Sequence, residues 1–222
     1  MRRRPLRVLI SAGPTREPID PVRFLSNYST GYMGAQLATQ ALARGHRVTV
    51  VTGPVREPMP AGARVIPVER AQDMAHALQR RAPRADVVMM AAAIADFRPV
   101  RRAARKLPRA RTHTLRLTAT PDIVGGLPRH KGQLIVGFAL ETGSVLARAV
   151  RKLRTKRLDV ILAQAASARQ TPFGRTRVRA WLVERNGVVT PLGRCAKPAI
   201  ARVLLDKVEG LWYGQASLRA HR

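Results

Sequence analysis

Asn27-Tyr28-Ser29-Thr30-Gly31-Tyr32-Met33-Gly34 stands between an apolar run at residues 6–12, centred on Val8, Leu9 and Ile10, and a helical pattern continuing through Leu37, Ala41 and Leu42. A strand that feeds a polar, glycine-containing loop and then a helix sets backbone N–H groups and a positive dipole end beside the strand's tip, where anions such as phosphate bind. Ser, Thr and Gly serve equally well in such loops for capping and turning. The loop alone therefore leaves an ordinary strand-to-helix connection open. Ser29 or Thr30 is expected to cap the helix, and Arg44-Gly45 to end it with glycine in the left-handed position. Residues 47–52 form the next apolar run, which closes a βαβ unit and predicts parallel strands.

Strand and helix patterns keep alternating outward from that unit. Residues 63–67 read as a strand, 71–81 as a helix with Met74, Ala77 and Leu78 on one face, and 86–93 as a fully buried strand running into Ile94-Ala95-Asp96-Phe97. Residues 113–119 alternate as a strand, and Thr120-Pro121-Asp122-Ile123 opens a short helix with proline in its first turn. Residues 134–138 and 158–163 are strands, separated by an amphipathic helix over 141–156. Two further strands flank Arg185-Asn186-Gly187, whose Asn-Gly is a hairpin signal, and a last helix covers 197–208. This pattern predicts an α/β fold: a doubly wound, mostly parallel, Rossmann-like sheet with a C-terminal β-hairpin extension. It occupies one domain over residues 1–210, followed by a basic, frayed tail at 211–222. Residues 15–29 form a long but ordered loop, and residues 99–112, rich in Arg and Lys, form a mobile basic lid.

Composition narrows the chemistry. Forty-one Lys and Arg against 13 Asp and Glu give a formal charge of +28 across 222 residues. Such a charge concentrates polyanions without choosing among them, and scattered arginine mostly ends on solvated faces. A single cysteine, Cys195, excludes an internal disulfide and a Cys-cluster metal site, and suits a reducing cytoplasm. The apolar runs are too short to span a bilayer, so no membrane partner is expected. The five histidines show no metal-ligand spacing, and the acidic residues are too few for a two-metal carboxylate site. What remains is an anion-binding kit: the amides near Ser29 and Gly31, a carboxylate at Asp96 able to hold Mg²⁺, and Lys106, Lys152 and Lys156. Asp96 follows a buried parallel strand, where open α/β sheets bind ligands. Lys152 and Lys156 lie one helical turn apart, so both can meet one polyphosphate or lie on a solvated face.

Four ordered stretches then point to a family. Ser11-Ala12-Gly13-Pro14-Thr15-Arg16-Glu17-Pro18-Ile19-Asp20-Pro21-Val22-Arg23-Phe24-Leu25-Ser26-Asn27, then Ala91-Ala92-Ala93-Ile94-Ala95-Asp96-Phe97-Arg98-Pro99, and Pro121-Asp122-Ile123-Val124 with Gly137-Phe138-Ala139-Leu140-Glu141-Thr142 resemble phosphopantothenoylcysteine synthetase. That is the ligase half of the bifunctional coenzyme A biosynthesis flavoprotein. The resemblance covers residues 6–208. It implies condensation of 4′-phosphopantothenate with L-cysteine through an acyl-nucleotide, using CTP in bacterial members and ATP in eukaryotic ones, with Mg²⁺ or Mn²⁺. It also implies a homodimer that completes its site across the interface, with a separate phosphopantothenoylcysteine decarboxylase as a candidate partner. Because the chain begins at the first ligase strand, FMN is not expected.

Carried over position by position, the resemblance gives Asn27 and Lys106 catalytic roles, Lys106 as the lid lysine. Arg23, Asn27 and Ala93 would hold the phosphopantothenate and acyl-nucleotide. Gly13, Ser29, Gly31, Ala92, Asp96, Lys106, Pro121, Asp122, Ile123, Val124, Phe138, Lys152 and Lys156 would hold the nucleotide, with Asp96 also taking the metal. Departures from the family pattern are Tyr32 for a lysine, Pro14 for a glycine, Pro108 for a second lid lysine, and Gln164-Ala165 for Asn-Asp. Residues 174–177 lack the usual acidic side chains. Two other readings fit the sequence less well. A nicotinamide-dependent reductase lacks its Gly-x-Gly-x-x-Gly turn. A nucleic-acid-binding protein lacks the aromatics for base stacking, at 4% of residues.

Overall fold

The structure, a computed structural model, describes residues 3–167 and 171–220, and side chains only as far as residue 214. Arg2 of the basic lead-in and the final two residues of the tail, His221 and Arg222, lie outside the described residues. In chain order the elements are β1 (Arg7–Ala12), β2 (Arg16–Pro18), β3 (Phe24–Ser26), α1 (Tyr32–Ala43), β4 (Arg47–Thr52), β5 (Arg64–Pro67), α2 (Ala71–Gln79), β6 (Val87–Met90), β7 (Phe97–Pro99) and β8 (Leu117–Ala119). They continue with β9 (Leu134–Glu141), α3 (Val145–Thr155), β10 (Val160–Ala165), β11 (Arg177–Glu184), β12 (Val189–Ala196) and α4 (Lys197–Ala220).

One eight-stranded sheet dominates, in the order β12-β11-β10-β9-β6-β1-β4-β5. Its six parallel members, counted as they occur in the chain, lie 3-2-1-4-5-6, the doubly wound arrangement in which strand order reverses between β1 and β6. β11 and β12 extend the sheet antiparallel beyond β10, joined through the turn at Asn186-Gly187, where Gly187 has φ +93. The period of two divides the strand residues between two cores. Val8 and Ile10 face α1 and α4 through Met33, Leu37, Ile200 and Leu204. Leu9, Val88 and Ile135 face α2 and α3 through Met74, Leu78, Ala149 and Leu153.

Several boundaries differ from the sequence reading. The helix expected from residue 120 is a single turn: Asp122 Oδ1 accepts the Gly125 amide at 3.1 Å, Gly126 N reaches Asp122 O at 3.0 Å, and Gly125-Gly126 with Pro128 stops propagation. Of the 113–119 run, residues 117–119 pair against β7 and Arg116 O accepts the Val100 amide at 2.9 Å, while no strand among the described residues lies alongside 113–115. β9 runs on to Glu141 beside β10, so α3 starts later than expected. α4 continues through residues expected to be frayed, reaching Ala220. The long loop at 15–29 is held as a small hairpin of β2 and β3. Ser29 and Thr30 do not cap α1 in the expected way. The N-cap is Gly31 at φ +83, and the two hydroxyls accept the Gly31 and Tyr32 amides at 3.4 and 3.3 Å. Two loop amides are therefore already engaged, and the Met33 and Gly34 amides lie ahead of the first helical bond, Ala35 N to Gly31 O.

Candidate active site

A cavity of about 550 Å³ opens at the carboxyl ends of the parallel strands, over the point where strand order reverses. Its floor is the segment that β6 feeds, and this segment is stitched to the end of β1. The Ser11 hydroxyl accepts the Ala92 amide at 3.1 Å, Ala93 N donates to Gly13 O at 2.8 Å, and the Thr15 hydroxyl accepts the Ala95 amide at 2.9 Å. Asn27 Nδ2 donates to Ala93 O at 3.0 Å, tying the end of the β2–β3 hairpin to the same floor. Thr120 closes the far side by donating its amide to Asp96 O and its hydroxyl to Ala95 O. The carboxylate-bearing residue that follows β6 is thus fixed by backbone bonds on both sides.

Two lysines of α3 and its C-terminal cap supply charge to one wall. Lys152 Nζ donates to Phe138 O at 2.8 Å. Burial pulls its ammonium below the ordinary lysine value, and the Glu141 and Asp96 carboxylates partly restore it. Lys156 Nζ bonds Asp122 Oδ2 at 2.6 Å. Burial pushes the Asp122 carboxyl upward, but Lys156 and the Gly125 amide outweigh it and leave the group below its usual range.

Asn27, Ser29, Ala92, Ala93, Asp96, Pro121, Asp122, Ile123, Val124, Phe138, Lys152 and Lys156 all line this one cavity. Four expected site residues do not. Gly13 and Gly31 lie behind it, where a Cβ on either would come within 2.5 Å of Val55 Cγ1; their role here is to let residue 55 approach. Arg23 and Lys106 belong to a neighbouring assembly. The buried Asp20 carboxylate accepts the Val22, Arg23 and Leu107 amides as well as the Arg23 guanidinium, which itself donates to Leu107 O at 2.8 Å. Burial pushes that carboxyl up, but these donors hold it well below the usual carboxylate range. Lys106, on the exposed lid segment, sits beside this tether.

The sequence reading missed Gln164, Pro172, Phe173, Gly174 and Lys197 as lining residues. Lys197 sits at the start of α4 beside Pro198, a sequence signal for a helix start and nothing more. No group of three or more His, Cys, Asp or Glu among the described residues is placed to hold a metal. A Mg²⁺ ion at Asp96 would therefore need a ligand's own phosphates to complete its shell, which is how that hard cation is commonly held beside nucleotides.

Residues 4–211 match the family described as the DNA/pantothenate metabolism flavoprotein C-terminal domain. The chain belongs to this family. Among its curated relatives, the coenzyme A biosynthesis bifunctional protein CoaBC of Mycobacterium bovis is 38% identical over 216 residues, covering 91% of this chain and 51% of that protein. The Escherichia coli K12 protein of the same name is 36% identical over 210 residues, with the same coverage. A protein named cysteine/cysteine sulfinic acid decarboxylase, from an unknown prokaryote, is 38% identical over 206 residues and is covered to 57%. The chain thus spans about half the length of the curated relatives it matches. The crystal structure of the C-terminal domain of CoaBC superposes with TM-score 0.77 at 36% identity, covering 92% of this chain and 94% of that one. In the flavoprotein C-terminal domain fold, the cavity described here therefore sits on a shared architecture. Neither the reductase nor the nucleic-acid-binding reading finds support among these relatives. No helix among the described residues is long and apolar enough to cross a membrane.

Proposed function

We propose that this chain joins 4′-phosphopantothenate to L-cysteine through an acyl-cytidylate, spending CTP and releasing CMP and diphosphate. The observation that carries the reading is the convergence of Asn27, Asp96, Lys152, Lys156 and the turn at 121–124 on one cavity at the strand ends. Likeness to the C-terminal domain of CoaBC supports the substrate class. In the first step a carboxylate oxygen of phosphopantothenate bonds to the nucleotide α-phosphorus as the bond to diphosphate breaks. In the second, the cysteine amine bonds to the acyl carbon, loses a proton, and CMP departs. A carboxylate oxygen leaves poorly and a nucleoside monophosphate leaves well, which is why the acid is activated first.

The protein's part is positioning and neutralisation. Lys152 and Lys156 face the phosphates, Asn27 and the Ala92–Ala93 backbone frame the acyl-nucleotide, and Asp96 would hold Mg²⁺ or Mn²⁺. When bound, such a metal would supply charge neutralisation to the phosphates. The reading assigns Arg23 to phosphopantothenate and Lys106 to a lid that closes over the cavity. It further assigns the chain a homodimeric state in a reducing cytoplasm, with a phosphopantothenoylcysteine decarboxylase taking the product.

Diphosphate release from CTP, measured with and without phosphopantothenate, tests the proposal. Release is expected only with both, and Asp96→Asn and Lys152→Met should each lower kcat/KM by about a hundredfold, the scale of losing one electrostatic group in such a site. Parallel initial rates with ATP check the nucleotide. Failure of the purified protein to release diphosphate from either nucleotide, or full activity of both variants, overturns the reading.

A further inference from the structure

Lys197 is the first residue of α4, yet it is only 4% exposed and lines the cavity together with Thr30, Tyr32, Gln164 and the segment at 172–174. Its Nζ donates to Pro172 O and Gly174 O, both at 2.8 Å. Those acceptors are neutral, and among the described residues Lys197 takes part in no ion pair. The cavity's two carboxylates stand elsewhere in it: Asp122 is bonded to Lys156, and Asp96 follows the β6 end. Burial alone lowers the Lys197 ammonium to about 8, so it remains mostly charged at neutral pH. A buried ammonium is ordinarily paired with a carboxylate, because desolvating an unbalanced charge is costly. Here two of its three donors go to carbonyls, and among the described residues no carboxylate balances the charge. Gly174, which Lys197 holds, lies beside Thr30, a Cβ on it being 3.9 Å from Thr30 Cγ2. Thr30 leads into the open N-terminal turn of α1, a helix of 12 residues whose dipole favours negative charge on the same side.

We infer that Lys197 forms an anion subsite at the β10–α4 edge of the cavity, receiving a phosphate group, separate from the wall formed by Lys152 and Lys156. The subsite rests on this geometry; naming its ligand rests on the reading proposed above. Two phosphates fit that chemistry: the diphosphate portion of the nucleotide, or the phosphomonoester of the pantothenate substrate.

Calorimetric titration of the full chain with inorganic diphosphate tests the subsite without turnover. The parent should bind, and Lys197→Gln, which keeps amide donors for the two carbonyls but removes the charge, should bind at least about tenfold more weakly, as loss of a charge-assisted contact implies. Lys197→Met should match it, with both variants melting cooperatively. If Lys197→Gln keeps parental affinity, or the parent binds no diphosphate at millimolar concentration, the subsite is overturned. Should the variants fail to fold, amide hydrogen exchange at residues 171–176 of the parent gives the answer: slowing on diphosphate addition supports the subsite, and unchanged exchange overturns it. Steady-state kinetics separates the two sources, since KM for CTP rises in Lys197→Gln if the nucleotide's diphosphate sits there, and KM for phosphopantothenate rises if the phosphomonoester does. Lys197-dependent diphosphate binding in a chain that ligates nothing would sink the proposed function and leave the subsite standing. Unchanged binding in an active ligase does the reverse.

Discussion

Two buried charged residues each make the folded chain more stable as pH rises, in separate windows. Lys197 titrates near 8 when folded, against about 10.4 for an unfolded lysine. Between those values the unfolded chain holds a proton that the folded chain has released, so stability rises with pH across that window, by about 3 kcal/mol for this residue. Cys195, whose thiol burial pushes upward, acts against it in the alkaline part of the range. The informative quantity is thus the difference between parent and Lys197→Met: the parent's urea midpoint should gain on the variant's as pH climbs from about 8 to about 10.4, the folded and unfolded values for this lysine. A difference that stays flat removes the buried charge from the account. Asp20 acts in the same direction, in the acid range. Its depressed carboxyl contributes stability that is present above the unfolded value of about 3.9 and is lost as pH falls below it. Asp20→Asn should flatten the acid limb and speed amide exchange at Leu107, whose N–H the carboxylate accepts. Unchanged exchange there means the lid segment is anchored by other contacts.

At the scale of elements, the crowding of strand ends decides what can be substituted. β1 and β4 run side by side to Ala12 and Thr52, and the chain leaves both through a narrow gap. A Cβ at Gly53 would lie 1.6 Å from Pro14 O, so glycine there is a matter of space between two backbones. Gly45, at φ +77 behind α1, has open space around it, and only its left-handed conformation resists a side chain. Gly53→Ala is expected to cost about 3 kcal/mol or more and Gly45→Ala about 1, compared by urea unfolding. Equal costs mean the strand ends relax apart. The parallel strands and the helices of the double winding were legible in the sequence because buried strands read as unbroken apolar runs and α1 to α3 carry one apolar stripe each. Their ends were less so. The turn at 122–126 looks helical until Gly125-Gly126 is weighed against Pro121, and the 113–119 alternation lacks a neighbouring strand over 113–115 among the described residues. Asn27 and Asp96 stood in long ordered motifs and Lys152 one helical turn from Lys156, so a sequence reading could name them. Lys197 reaches the cavity only because the segment after β10 folds back across 23 residues to meet it, and no local pattern encodes that distance.

For the molecule as a whole, thirteen acidic residues leave most of the 41 lysines and arginines without a carboxylate, and the surplus is not evenly diluted. Arg7, Arg47, Arg64, Arg80, Arg81 and Arg84 line one groove beside Val8 and Leu9, at the opposite ends of the strands from the candidate site. Burial lowers the Arg81 guanidinium's affinity for its proton, and the nearby Arg64 and Arg80 charges lower it further. Asp86 relieves only the near end, pairing with Arg4 and Arg7 at 3.1 Å. Ion pairs exposed on both sides contribute about 0–1 kcal/mol each, whereas self-repulsion acts across the whole surface and opposes the compact state. Raising NaCl from about 0.01 M to about 1 M shortens the screening length from roughly 30 Å to roughly 3 Å and removes most of that repulsion while weakening the few attractive pairs. Repulsion is the larger of the two here, so the melting midpoint should rise by at least about 2–4 °C, the shift that roughly 1 kcal/mol gives a chain of this size. Sodium chloride is the salt to use, since phosphate or sulfate would also occupy anion sites. A midpoint that falls with salt would show that the sparse carboxylates are placed well enough to outweigh the excess of arginine.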